Sequence, residues 1–315
     1  MVLAKPGKRR GDMVRPFATT IRSITAAALR AGLALLLLCA PAAAEPGLWV
    51  AKGPHATVYL FGTIHLLKKN QVWETPAIAE ALASSQELWL EVPDPDDQAQ
   101  VRKLTAQLGY DPQHPLSTKL SPPDLARLDA AARSLGVKEG EKAFEPMRPW
   151  FVSVALEGAL VAHAGYDPNS GVEQLLLHDE STVGKPIRGF ETFTQQLHFF
   201  ADMSPPLEIE LLRNTLQDFA KGVTQLDTLV NAWMNGDEAA ITHIMVDEVK
   251  RPFPNLYRTL LVDRNVAWAG AIAKMLQGSG VKFIAVGAAH LAGPDSVQAA
   301  LERQGIAVER VAATN

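Results

Sequence analysis

Short apolar runs separated by turn residues begin the chain after its N-terminal segment. Leu48–Ala51 and Thr57–Phe61 are rich in residues that favour strands and flank a Gly-Pro turn, which predicts a β-hairpin. Thr75 followed by Pro76 is typical of a helix start, and Glu87–Val92 is an apolar run that a proline ends. This order of strand, helix and strand predicts a βαβ unit with a parallel pair of strands.

Helical periodicity dominates the middle of the chain, from about residue 110 to about residue 260. The pattern predicts a brief strand at Pro186–Glu191 and several helices: Ser121 to near Gly136, Arg148 to about Gly165, Gly171 to Asp179, Thr192 through Phe200, Pro206 to about Trp233, and Asp237 to Val249. The helix that begins near Arg148 is apolar almost all round, which predicts that it is buried.

The last part of the chain returns to alternating helices and strands. The pattern predicts helices at Val262–Gln277 and from Pro294 to about Gln304, and strands at Lys282–Val286 and Ile306–Val311. The predicted fold class is therefore α/β. It consists of two related α/β units, with a parallel or mixed sheet, that flank a helical insert at about 110–260 within one domain, 45–315.

Composition and charge narrow the functional classes. Of 315 residues, 47% are apolar and 20% charged, which is ordinary for a globular protein. The formal net charge is −4 and the isoelectric point about 6.1, so no basic surface suggests nucleic-acid binding. The expected partner is a peptide or small-molecule substrate.

The first 44 residues have the pattern of a secretory signal peptide. A basic region precedes a short apolar run, and Ala42 and Ala44 form an A-x-A cleavage site. We expect cleavage after Ala44, membrane contact only through this segment, and a periplasmic or secreted protein; the alternative is an uncleaved anchor. Met13 is an alternative start to Met1, and the single cysteine, Cys39, would leave with the signal.

The pattern G-x-x-H-L follows two of the predicted strands. Gly62 and His65 belong to the first copy, and Gly287 and His290 to the second. Ligand sites in open α/β sheets lie at the carboxyl ends of the strands, so both imidazoles are expected to face one crevice. Paired imidazoles are good ligands for Mn, Co, Zn or Fe. The alternative is that each histidine is a hydrogen-bonded loop residue.

Acidic residues are the expected complement of two histidines at a metal site, with an open position for water. Glu91 ends an apolar strand and should reach the same crevice; Glu173 follows Gly171 at a helix start. Either residue is a candidate metal ligand or general base. Alternatively, the first is a rim carboxylate and the second a helix cap.

Three further residues are weaker candidates. Glu191 ends another strand-like run and could be a ligand, a general base or the partner of Arg264. Arg264 and Asn265 begin the last long helix, and an arginine there could stabilise an oxyanion. A structural ion pair explains Arg264 equally well.

The ordered set of motifs resembles the TraB/GumN family, which is related to the Tiki metalloproteases. The motifs that carry the resemblance are Phe61-Gly-Thr-Ile-His-Leu66, Leu90-Glu91, Gly171-Val-Glu173, Lys185-Pro with Gly189-Phe-Glu-Thr192, Arg264-Asn265 and Val286-Gly-Ala-Ala-His-Leu-Ala-Gly293. The resemblance implies an α/β core of two related halves, as in erythromycin esterases. It also implies a divalent metal at His65 and His290, Glu91 and Glu173 as ligand or base, and Arg264 as a substrate or transition-state contact.

The expected function is that of a divalent-metal-dependent hydrolase, a metalloprotease-like peptidase. Two alternatives remain open at the level of sequence. One is a non-catalytic protein that binds metal, haem or a peptide in the same crevice. The other is an accessory factor in envelope polysaccharide assembly that acts through its helical insert.

Overall fold

A computed structural model describes residues 45–93 and 98–312. The predicted signal peptide, residues 1–44, lies outside the described residues, and its processing stays a prediction. No helix in the described part of the chain has both the length and the apolar character needed to cross a membrane.

A mixed six-stranded sheet is the centre of the described fold, in the order β6-β4-β7-β2-β1-β8. The strands of the whole described chain are β1 (Leu48–Lys52), β2 (Ala56–Thr63), β3 (Leu67–Lys68), β4 (Glu87–Leu90), β5 (Tyr166–Asp167), β6 (Ile187–Gly189), β7 (Gly280–Gly287) and β8 (Val308–Arg310). Strands β3 and β5 form a separate antiparallel pair. The predicted α/β class is confirmed, whereas the relation between two α/β units stays a prediction.

The predicted hairpin is confirmed, but the predicted parallel pair is not. Strands β1 and β2 are antiparallel, with Leu48 opposite Phe61. Strand β7 lies between β2 and β4 and runs parallel to both, so the strands on either side of the first helix are not neighbours. The reason is burial: Phe283 to Gly287 are all buried, and a strand apolar on both faces belongs at the centre of a sheet.

The α-helices occupy both faces of the sheet and the region beyond it. Their bounds are α1 (Pro76–Ser84), α2 (Gln98–Gly109), α3 (Pro122–Ser134), α4 (Pro149–His163), α5 (Val172–Thr182), α6 (Phe193–Ala201), α7 (Pro205–Asp218), α8 (Gly222–Met234), α9 (Glu238–Ile241), α10 (Glu248–Lys250), α11 (Pro254–Tyr257), α12 (Asp263–Leu276) and α13 (Val297–Glu302). Single π-helical turns join α9 to α10 (Thr242–Asp247) and α11 to α12 (Arg258–Val262).

Two helix predictions were wrong. The helix predicted from Pro206 to Trp233 is two helices, α7 and α8, separated by the 3₁₀ turn Phe219–Lys221. Helix α4 is not buried all round, because Val154 and Glu157 are exposed on the side away from the core. Apolar composition alone does not distinguish a buried face from one that lines a cavity.

Each face of the sheet has its own apolar cluster. Helices α1 and α8 cover one face, where Phe61 stacks on Trp73 with 5.6 Å between ring centroids. Helices α12 and α13 cover the other face, where Trp268 is buried. Burial of such side chains stabilises the fold by about 2–3 kcal/mol each. Trp233 of α8 also donates a hydrogen bond of 2.7 Å to the carbonyl of Gly62, which fixes the end of β2.

Candidate functional site

The two G-x-x-H-L motifs leave the sheet side by side. Strands β2 and β7 are adjacent and parallel, and their last paired residues are Thr63 and Gly287. The carboxyl ends of parallel strands meet at one edge of a sheet, so His65 and His290 follow from the same edge. The prediction that the two motifs lie together is therefore met by the geometry.

His290 is a buried, oriented and neutral imidazole. It lies on the 3₁₀ turn Ala288–Leu291, is 4% exposed, and packs at 4.4 Å from the ring of Trp268. Its Nδ1 lies 2.6 Å from Oδ1 of Asn265, while Nε2 lies 3.0 Å from Nη1 of Arg264. Arginine only donates, so Nε2 accepts and the proton is on Nδ1. Burial lowers the pKa of His290 to about 3, and the ring is uncharged at neutral pH.

His65 has the opposite environment. Its side chain is 68% exposed, and its Nδ1 lies 3.0 Å from Oε1 of Glu173. The charge of Glu173 raises the pKa of His65, although burial by the surrounding walls opposes the charged form. Thr63 donates to the same carboxylate oxygen. Glu173 therefore holds Nδ1 of His65 and leaves Nε2 directed elsewhere.

The position of Glu173 follows from a close backbone contact at the start of α5. Gly171 caps this helix, and a Cβ built on it would lie 2.1 Å from the carbonyl oxygen of His65. Only glycine allows that approach. The N–H of Val172 then donates to the carbonyl of Ile64 at 3.0 Å, which ties the helix start to the loop.

Glu91 directly follows β4 and is 8% exposed. Its Oε1 accepts the N–H of Gly287 at 2.8 Å, and its Oε2 accepts from Arg264 at 2.5 Å and from Gln196 at 3.0 Å. Burial would raise the pKa of Glu91, but His290 and Arg264 outweigh it and lower the pKa to about 2. Because His290 is uncharged at neutral pH, Arg264 and the protonated His65 are the cations that compensate Glu91.

Arg264 links Glu91 and Glu191 to His290. Its Nε and Nη2 donate to the two oxygens of Glu191 at 2.8 and 2.9 Å, a bidentate pair, and Nη1 also donates to the carbonyl of Leu260. The guanidinium lies 4.7 Å from the ring centroid of Trp268 and 5.3 Å from that of Phe199. The predicted pairing of Glu191 with Arg264 is present.

The donor atoms converge around Gly287. A Cβ built on this residue would lie 3.2 Å from Oε1 of Glu91, 3.6 Å from Nε2 of His65 and 3.7 Å from Cδ2 of His290. Nε2 of His290 is itself 3.6 Å from Oε1 of Glu91. The missing Cβ thus leaves a small space bordered by Nε2 of His65, the ring edge of His290 and one carboxylate oxygen of Glu91.

These residues fit a divalent metal in chemistry. Imidazole nitrogens and a carboxylate are a common donor set, and each Nδ1 is held by an acceptor in the manner of metal-bound histidines. Glu173 raises the pKa of His65 to about 9, so this imidazole must lose a proton before its Nε2 can bind a metal. Yet no group of three or more His, Cys, Asp or Glu side chains in residues 45–93 and 98–312 is arranged to hold a metal ion. The hydrogen bond from Arg264 to Nε2 of His290 would have to be replaced on metal binding.

A cavity of about 560 Å³ opens above this site. His65, Glu91, Arg264, Gly287 and His290 line it together with apolar side chains that include Phe199, Phe200, Leu226, Leu229, Met245, Leu260 and Leu261. A mostly apolar cavity with a few converging polar groups is the usual form of a small-molecule or peptide site.

Comparison with known proteins agrees with the resemblance in sequence. The model of the TraB/PrgY/gumN family matches residues 47–310. The chain belongs to this family. It is also 25% identical over 268 residues to an uncharacterized protein of Treponema pallidum (strain Nichols), in an alignment that covers 79% of this chain and 78% of that protein. No solved structure matches the chain.

In this TraB/PrgY/gumN protein, the predicted site residues fall into two groups: those that line the cavity and those that hold them in place. His65, His290, Glu91, Gly287 and Arg264 line the cavity. The other four candidates lie behind these residues: Glu173 and Asn265 hold the histidines, Glu191 holds the arginine, and Gly62 packs against Ala288.

Two side chains of this site were missed by sequence reasoning. Thr63 lies inside the first motif, so its place between Gly62 and His65 was an available signal. Gln196 donates to both Glu91 and Glu191, at 3.0 and 3.2 Å, and separates their charges. No local pattern marks a glutamine on an amphipathic helix as part of a site.

Proposed function

We propose that this TraB/PrgY/gumN protein is a divalent-metal-dependent hydrolase that cleaves peptide bonds in the periplasm or outside the cell. The observation that carries the proposal is that Nε2 of His65 and Oε1 of Glu91 approach one space beside Gly287, while Nε2 of His290 lies 3.6 Å from the same carboxylate oxygen. The signal-peptide pattern of residues 1–44 supports the location.

His65, His290 and Glu91 would hold the metal, with Mn, Co, Zn or Fe as the candidates. When bound, such an ion supplies Lewis acidity and lowers the pKa of a coordinated water towards 7. Glu173 and Asn265 accept hydrogen bonds from the two Nδ1 atoms, which leaves both Nε2 atoms for the metal. These contacts fix ring orientation before a ligand arrives. On metal binding, the proton on Nε2 of His65 and the hydrogen bond from Arg264 to Nε2 of His290 would be replaced.

Two side chains on the cavity wall have proposed catalytic roles: Glu91 in proton transfer and Arg264 in charge stabilisation. Glu91 faces the cavity and is the candidate base that takes a proton from the attacking water, whereas Glu173 does not line the cavity and acts on His65. Arg264 is a buried donor at the same wall. It can stabilise the negative charge that develops on a peptide carbonyl oxygen.

The test is elemental analysis of protein purified from the periplasm. About one Mn, Co, Zn or Fe per chain is expected in the wild type, and none in the His65→Ala/His290→Ala double variant. Each single variant should also lose peptidase activity while its circular dichroism stays unchanged. His198→Ala is the matched control, because this half-exposed histidine on α6 pairs with Asp202 away from the donor atoms. Absence of metal from the wild type, even after metal is added back, overturns the hydrolase.

A second function is favoured by one contact. Arg264 donates to Nε2 of His290 and to Glu91, so the site is already occupied by an internal cation. A non-catalytic binding protein would keep that arrangement. It would bind peptide stoichiometrically with no metal present and yield no product.

A further inference from the structure

The cavity above the site meets a second cavity. The second cavity has a volume of about 450 Å³, and both cavities are lined by Leu66, Glu157 and Leu226. Helices α4 and α8 supply two of these side chains, and the loop after β2 supplies the third. Space therefore extends from the donor atoms past Glu157 to the second cavity, which suits an extended ligand better than a compact one.

Among the residues that the structure describes, none forms a cationic partner of Glu157 at this junction. Its Oε1 accepts a hydrogen bond of 3.0 Å from Thr215, and no charged side chain in the described part of the chain shifts its titration. Burial among the surrounding walls raises the pKa of Glu157, although the cavity leaves the side chain accessible. A carboxylate in such a place gains more from a cation than one on an open surface.

The neighbouring charges do not supply that cation. Asp218 lines the second cavity as well, and it pairs with Lys221 at 2.8 Å. Arg264 lies on the wall of the first cavity, where Glu91 and Glu191 engage its guanidinium. The junction thus combines apolar walls with an uncompensated negative charge.

We propose that Glu157 is a specificity-determining residue that binds the lysine or arginine side chain of an extended polypeptide substrate. The inference rests on the proposed function for the identity of the ligand as a peptide. The apolar walls of Leu66 and Leu226 contact the aliphatic part of the basic side chain, and the carboxylate of Glu157 accepts its N–H groups. The peptide backbone continues from there towards His65 and His290.

Binding without turnover tests this inference separately from hydrolysis. The probes are fluorescein-labelled short peptides of alanine, leucine and serine, in which a single lysine is moved along the sequence, beside a parent with glutamine in its place. Fluorescence anisotropy is measured with the full-length purified protein and no added metal. We expect about tenfold tighter binding when the lysine occupies one or two adjacent positions.

Matched variants assign the preference to one carboxylate. Glu157→Gln should bind the lysine and glutamine peptides equally, and Glu157→Lys should prefer a peptide with glutamate. Glu210→Gln, an exposed glutamate on α7, should keep the wild-type preference. Equal binding of all peptides by the wild type, no binding of any, or an unchanged preference in Glu157→Gln overturns the inference. A lysine preference without any hydrolysis would support Glu157 and contradict only the hydrolase.

Discussion

The substitution Arg264→Met tests how much the ion network of the site stabilises the fold, separately from the proposed metal binding. Methionine keeps much of the aliphatic volume next to Trp268 and removes the guanidinium. Three acceptor groups then lose a donor: the carboxylates of Glu91 and Glu191, and Nε2 of His290. The carbonyl of Leu260 loses one as well.

The size of the effect follows from burial. The side chains of Arg264 and Glu91 are only 11% and 10% exposed, so the charges left behind are poorly hydrated. Removal of one partner of a buried ion pair costs about 3–5 kcal/mol. In a domain of this size that corresponds to a fall in Tm of about 10 °C. Glu91 and Glu191 keep Gln196 as a shared donor, but this neutral amide does not compensate their two negative charges.

Urea denaturation followed by circular dichroism measures this loss, first with EDTA and then with excess Mn²⁺ or Zn²⁺. A divalent ion bound between Glu91 and His290 would replace the lost charge. At a ligand concentration about a hundred times Kd it returns about 2.7 kcal/mol. Arg258→Met is the control, because Arg258 and Asp263 form an exposed pair at 3.2 Å that contributes at most about 1 kcal/mol.

Two results would refute the reasoning at different points. Equal stability of Arg264→Met and wild type in EDTA would mean that the guanidinium does not hold the carboxylates. A large loss that neither metal reduces would mean that no divalent ion takes the place of Arg264 beside Glu91 and His290. Only the second result would contradict the proposed metal binding.

Two further substitutions test the geometry around the second motif. Gly287→Ala places a methyl group 3.2 Å from Oε1 of Glu91, so isothermal titration calorimetry should show weaker metal binding by a folded protein. The control is Gly270→Ala, whose methyl group has nothing within 4 Å and should leave the metal affinity unchanged. Equal metal affinity of Gly287→Ala and wild type would contradict the shared space beside Gly287. Asn265→Ala removes the acceptor for Nδ1 of His290 and the donor to a backbone carbonyl. We expect a loss of about 2–5 kcal/mol on urea denaturation and about 10–100-fold weaker metal binding, and an unchanged affinity would mean that this contact does not orient the imidazole.

The elements that the sequence predicted well are those whose signals are local. The hairpin, the capped helix after Thr75 and the helix after Ser121 depend on neighbouring residues, and all are present. The repeated G-x-x-H-L motif also predicted that His65 and His290 follow from one edge of the sheet, because parallel neighbouring strands end there. Local sequence patterns do not predict features that depend on distant contacts, such as the position of β7 between β2 and β4.

The roles within the site were less accessible to sequence reasoning. Glu173 was a candidate ligand, but the close approach of α5 to the backbone of His65 places it against Nδ1. The position of Glu173 depends on Gly171, which lies against the carbonyl of His65. Neither the periodicity nor the charge pattern of the sequence predicts this backbone contact. Gln196 was missed for a similar reason, since the placement of α6 beside the end of β4 brings it to Glu91.

Identical motifs have produced two unlike histidines, and the difference lies in what covers each strand end. Helix α12 covers the second motif, where Trp268 and Asn265 bury and orient His290 and burial lowers its pKa. At the first motif, the start of α5 meets the backbone of His65 and leaves its side chain open to the cavity, where Glu173 pairs with it and raises its pKa. A rigid neutral nitrogen suits a permanent ligand, whereas an accessible imidazole held by a carboxylate also suits proton transfer. Within the proposed mechanism, the two histidines therefore bind the metal from unlike environments: His290 as a rigid neutral ligand, and His65 as one that must first lose its proton.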